Sequence, residues 1–263
     1  MESNNPALRN APQFKRGGYA GFDDRSTTAT ASTPSLEDLY AAPAASPAQT
    51  GRMTYDDVVM RTAMVLATVV AGAVVGWMYP GLAIVGAIIG LVLGLVNAFK
   101  REPSPALIIA YGAFQGLFLG GVSYFFNIQY PGIVVQAVLA TFATFGVMLA
   151  LYRSGAIRAT PRFRKIMLGA VLGYAVFCLI NFAFVMFGAG TGLRTGMLGL
   201  LIGAVGATLA ALSLVLDFDF IEQGVKNGIP QRYAWTAAFG LAVTLIWLYI
   251  EFLRIIAILR GSD

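Results

Sequence analysis

The stretch 213-SLVLDFDFIEQGVKNGIPQRYAWTAAFGLAVTLIWLYIEFLR-254 decides how the chain reads. An apolar run leaves through three acids, Asp217, Asp219 and Glu222, and turns at Lys226-Asn227-Gly228-Ile229-Pro230. A second apolar run then begins, with Glu251 well inside it. A helix rising 1.5 Å per residue needs about 20 apolar residues to cross a bilayer's hydrocarbon, and both runs are near that length. A carboxylate at such depth costs several kcal/mol unless it is paired or hydrated, so these few acids are read first as functional groups.

The rest of the composition fits this setting. Of 263 residues, 57% are hydrophobic and only 12% charged, and the mean hydropathy is +0.72. A soluble domain carries roughly 25% charged residues, so a polytopic integral membrane protein is the natural class, all-α in fold. The net charge of +5 is not a nucleic-acid signal, because most basic residues sit in short loops between apolar runs. There is no histidine, and Cys178 is the single cysteine. Histidine-based triads, histidine zinc sites and disulfide frameworks are therefore excluded. No catalytic residue and no cofactor is expected.

Outward from the deciding stretch, seven apolar runs are predicted at about 57–78, 82–99, 105–127, 132–152, 166–188, 196–216 and 235–257. Thr54-Tyr55-Asp56-Asp57 reads as the N-terminal cap of the first, with anions at the positive end of the helix dipole. Glycines recur every four residues at 86, 90 and 94, at 112, 116 and 120, and at 199 and 203. Such spacing lets helix backbones approach closely in lipid. Asn97 and Gln115 are expected to hydrogen-bond between the second and third helices. Ahead of the runs, residues 1–52 are rich in Ala, Ser, Thr and Pro with balanced charge, and are expected to be a disordered tail before a transmembrane domain over 53–260.

Orientation comes from the loops. Lys100, Arg101, Arg153, Arg158, Arg162, Arg164 and Lys165 fall on one side with Arg52, Lys226 and Arg232, and the opposite loops hold only Arg194. The positive-inside rule puts the tail and these loops in the cytoplasm of a plasma membrane, and an odd number of spans puts the C-terminus outside.

Asp217, Asp219 and Glu222 are expected where the sixth run meets the cytoplasm, and helical geometry lets only some of them point inward. Acids at a helix C-terminus oppose its dipole, so helix stability does not account for them. Glu251 has two readings, a functional carboxylate or an i, i+3 partner of Arg254 near the outer interface.

These residues resemble the Bax inhibitor-1 / YccA family, also called the transmembrane Bax inhibitor motif family, in a bacterial subgroup. The resemblance is carried by Val215-Leu216-Asp217, Gly228, Tyr233-Ala234-Trp235 and Trp247-Leu248-Tyr249-Ile250-Glu251-Phe252-Leu253-Arg254. Thr54-Tyr55-Asp56-Asp57-Val58-Val59 and the run from Ser104 to Gly112 add to it. The resemblance covers roughly 53–260. It implies six helices around a central seventh, and a pH-sensitive calcium leak latched by two carboxylates that share protons. Asp217 takes the first position and Glu251 the second, with Asp219 as runner-up for the first. Calcium would be a transient ligand of Asp217 and Glu251, as oxygen ligands suit that ion.

Three features depart from the family pattern, the first being Glu at the second position, which keeps the carboxylate but lengthens the arm. The interval from Asp217 to Glu251 is longer than the family's, and the arginine expected on the second helix has no match before Lys100. Arg61, on the first helix, is its substitute by depth, and Arg254 is the second counter-ion candidate. The partners implied are the lipid bilayer and cations. The other functional class is a non-conducting membrane protein that regulates a protease or stress complex. Intramembrane aspartyl, metallo and rhomboid-like proteases are each missing their motif.

Overall fold

The computed structural model describes residues 51–187 and 195–261. Seven helices long and apolar enough to cross a membrane follow one another: α1 Tyr55–Met78, α2 Ala83–Phe99, α3 Pro105–Gln129, α4 Ile133–Arg153, α5 Pro161–Met186, α6 Gly196–Lys226 and α7 Ala234–Gly261. Short 3-10 turns at Pro80–Leu82 and Gln231–Tyr233 lead into α2 and α7. The chain is thus an all-α, multi-pass membrane protein, as its composition predicts. Residues 1–50, 188–194 and 262–263 lie outside the described residues, and so do the expectations made for them.

Most predicted boundaries fall within a few residues of the observed ones, and two differ. α5 begins at Pro161, capped by the Thr160 hydroxyl, so Arg162, Arg164 and Lys165 are helical rather than in a loop. α6 continues to Lys226, ten residues past the predicted end, and Asp217, Asp219 and Glu222 all lie within it. The acids do not end this helix because each projects to a partner on another element or one turn away, as set out below.

α7 is the most enclosed helix. Ala238, Ala242 and Leu248 are fully buried, and it packs against α1, α3, α4 and α6. The central seventh helix implied by the family resemblance is therefore observed. Small residues along one side of α7 admit α1, whose Val65 meets Ile108, Ala238 and Ala242 in one apolar cluster. α2 packs on α3 and α5 on α6, so both stand at the rim.

The glycine repeats do what their spacing predicts. Gly112, Gly116 and Gly120 face Val65, Val69 and Ala73 of α1, and Gly86 meets Phe114 and Phe118 of α3. Gly72 and Gly76 complete the α1–α3 contact from the other side. Asn97 ties α2 to α3 through the Leu107 carbonyl at 3.2 Å rather than through Gln115.

Among the described residues, the basic stretches 100–104, 154–160 and 227–233 gather at one end of the bundle. There Arg164 pairs with Asp219, Glu222 accepts from Tyr152, and Arg232 meets Glu102 at 3.2 Å. At the other end Arg260 donates to the Pro131 carbonyl at 2.9 Å.

Candidate functional site

Asp217 sits on the face of α6 that meets α7. Thr244 Oγ1 of α7 donates to Asp217 Oδ2 at 2.7 Å. Gly240, one turn nearer the basic end, leaves room for the other oxygen; a Cβ there would lie 3.0 Å from Asp217 Oδ1. A threonine and a glycine at i, i+4 on the central helix thus form the seat of this carboxylate. One hydrogen bond to a charged group offsets about 1.5–3 kcal/mol, less than the several kcal/mol of taking a carboxylate out of water. Partial exposure lowers that cost further. Asp217 is half-buried and lines a cavity of about 400 Å³ at the basic end, walled by Asn97, Lys100, Ile108, Phe220, Thr236 and Gly240 among others.

Beyond Asp217 the interior closes. Leu214, Val215, Leu245 and Leu248 are buried together, and Tyr249 and Ser123 share a hydrogen bond of 2.6 Å between α7 and α3. The cavity therefore reaches one carboxylate from one end of the bundle and stops there.

Glu251 is elsewhere. It lies seven residues past Thr244 on α7, about 10 Å farther along the helix. It is 2% exposed and sits against Gly203 and Gly206 of α6. Tyr174 OH of α5 donates to Glu251 Oε1 at 2.8 Å, Trp247 Nε1 to the same oxygen at 3.3 Å, and Arg254 stands 3.5 Å from Oε2. The i, i+3 pairing with Arg254 is observed. The latch read from the family, Asp217 against Glu251, is not: the two carboxylates occupy different levels of the bundle. The reason is the length of α6, which stays helical through the residues a shorter helix would give to the loop.

The neighbours of Asp217 divide the remaining candidates. Asp219 faces the other way and is held by Arg164 of α5 and by Gln223 Nε2 at 3.0 Å. Glu222 accepts from Tyr152 of α4 and pairs with Lys226. Of the three acids only Asp217 points at α7, as helical geometry allows. Arg61 lies 3.8 Å from Asp57, donates to the Gln231 carbonyl and stands 5.6 Å over the Trp235 ring. It therefore belongs to the start of α7 rather than to either candidate carboxylate, and depth alone was a poor guide to it. Tyr174 and Gly240 carry no sequence signal beyond their place in an apolar run, and Trp247 enters only through the motif that carries the family resemblance. Thr244 stands out there as one of few polar groups within the runs.

Among the described residues no three Cys, Asp or Glu side chains come together as a set of metal ligands. What the arrangement offers a cation is a single carboxylate on the wall of a cavity, and no histidine or thiol chemistry beside it.

No curated protein matches the chain. A family model described as Bax inhibitor 1 like matches residues 5–261, which extends over the amino-terminal segment as well as all seven helices. With seven spans, a central α7 and a match over nearly its whole length, the chain belongs to the Bax inhibitor 1-like family.

Proposed function

We propose that the protein is a cation leak, calcium among the ions it passes, with Asp217 as its proton-sensitive entry site. The reading places the basic end in the cytoplasm of a plasma membrane. The observation that carries it is the cavity at the basic end, which leads to one half-buried carboxylate seated on the central helix. A cation entering that cavity meets negative charge when Asp217 is ionised and a neutral acid when it is protonated, so entry weakens as pH falls. The packed interior beyond Asp217 has to part for conduction, which suits a slow leak better than an open pore. The sharing of one proton between Asp217 and Glu251 plays no part in this version. Glu251 instead joins α5 to α7 through Tyr174.

The second reading is a non-conducting regulator of another membrane complex. α5 favours it, since this helix packs on α6 and leaves Gly169 and Gly173 with open space beside them. Purified protein in liposomes loaded with a calcium dye separates the two. A leak passes the ion with no partner present, and a regulator leaves the vesicles tight.

A further inference from the structure

We infer that the segment Gly51–Asp57 is a clasp that sets the aperture of the Asp217 cavity, with Arg61 and Gln231 as its positioning residues. The inference rests on the reading of that cavity as the ion entry, and its first readout does not depend on conduction.

The α6–α7 turn closes without help. Gly228, at φ +61°, adopts the left-handed conformation, its N–H reaches the Val225 carbonyl at 3.2 Å, and Ile229 N–H reaches the Gly224 carbonyl at 3.1 Å. These are the bonds by which a helix end caps itself. A second set of bonds is then laid across the turn from the amino-terminal side. Met53 N–H donates to the Ile229 carbonyl and Gln231 N–H to the Gly51 carbonyl, both at 2.8 Å, forming an antiparallel bridge between Arg52 and Pro230.

A bridge this short does not persist in water on its own strength. It is held here by a plug and by side chains. Met53 is 1% exposed, and its Cε lies where a Cβ on Gly224 would come within 2.6 Å. The glycine of α6 is thus the socket for the methionine. Asp57, locked by Thr54 in a capping box, accepts from Gln231 Nε2 at 2.6 Å. Arg61 donates to the Gln231 carbonyl. Gln231 is therefore gripped at its amide, its carbonyl and its side chain, all from α1 or the segment before it.

Gln231 begins the 3-10 turn that aims α7, and the next turn of α7 carries Thr236, Ala237, Phe239 and Gly240 on the cavity wall. Arg61 also covers Trp235, directly before them. A shift of Gln231 is thus carried within about four turns to Gly240 and Thr244, which seat Asp217. Residues 51–53 are hydrogen-bonded to the turn that leads into α7, so a displacement of this segment is passed to the start of α7.

The test uses the full chain with Cys178→Ala, a single reporter from Thr236→Cys on the cavity wall, and a control from Gln129→Cys at the opposite end. Maleimide labelling is followed in proteoliposomes, beside hydrogen exchange at the Met53 and Gln231 amides. Met53→Ala and Gln231→Ala are expected to raise exchange at those amides and to speed Thr236→Cys labelling about threefold or more, with Gln129→Cys unchanged. Arg52→Cys with Pro230→Cys, oxidised to a disulfide across the bridge, is expected to slow labelling read on the peptide that carries residue 236, and reduction followed by removal of the reductant is expected to restore it. This second variant keeps the clasp closed and so does not depend on a weakened protein folding. Removing residues 2–50 leaves the reporter at its parental rate, and removing 2–53 reproduces Met53→Ala. Faster exchange at the two amides with no change at Thr236→Cys overturns the clasp, as does a disulfide that leaves the reporter rate unaltered. If labelling responds as expected while the liposomes stay tight to cations, the clasp stands and the leak reading fails.

Discussion

Replacing Gly116 and Gly146 with alanine should move stability in opposite directions, although both glycines lie in the middle of apolar helices. A Cβ on Gly116 would stand 2.9 Å from Ala73 N and 2.9 Å from Gly72 Cα, and nearer still to the Val69 carbonyl oxygen. All three are backbone atoms of α1, so no side chain can turn away. Ordinary contact begins near 3.4 Å, so α1 and α3 have to part by at least about 0.5 Å along this line. Overpacking of this kind costs about 1–3 kcal/mol. Gly146 of α4 has nothing within 4 Å of the added methyl. There alanine's better helix propensity contributes about 0.5–1 kcal/mol in favour of folding. The two variants should differ by roughly 1.5–4 kcal/mol, or about 3–16 °C in Tm at the 2–4 °C per kcal/mol of domains of similar size. Thermal unfolding in one detergent, followed by tryptophan fluorescence, reads the difference. Equal shifts of the same sign would refute the close α1–α3 contact and with it this account of the glycine repeats.

Three further outcomes follow from the same geometry. Single cysteines from Ala159→Cys and Thr191→Cys in a Cys178→Ala background should label from opposite sides of the membrane, and labelling from one side would break the alternation of seven spans. Tyr174→Phe removes a donor from a buried carboxylate and should lower stability by about 1–3 kcal/mol, with added hydrogen exchange in α5; an α5 unchanged in exchange would mean the Glu251 contact does not hold it. Gly240→Ala sets a methyl 3.0 Å from Asp217 Oδ1 and should reduce cation flux while leaving the helical circular dichroism intact, so unchanged flux would mean Asp217 does not face the ion path.

The helices were legible because crossing a bilayer demands a run of apolar residues, a signal that needs no partner to be read. The cap at Thr54–Asp57 and the packing role of the glycines were legible for a similar reason: each depends on residues three or four apart. What could not be read is which helices face one another. Thr244 was visible only as a hydroxyl in an apolar run, and nothing local marks it as the seat of Asp217, 27 residues away. Tyr174 reads as one more aromatic, yet it reaches Glu251 from another helix. Arg61 was placed by depth, but rotation about the helix axis turns it toward Gln231 and Trp235. The acids of 217–222 marked an important region and misplaced a helix end, since charge alone does not tell a terminus from a helix whose charges are each partnered.

The central claim is that Asp217 is the ionisable entry of a cation path. Calcium flux into liposomes between about pH 5 and pH 8, the range over which a perturbed carboxyl group titrates, tests it with Asp217→Asn, which keeps the side chain's shape and removes the titrating charge. The account predicts flux that falls toward acid in the parent protein, a low and pH-independent flux in Asp217→Asn, and a parental profile in Asp219→Asn, whose side chain faces Arg164 instead. An undiminished, equally pH-dependent flux in Asp217→Asn would contradict it.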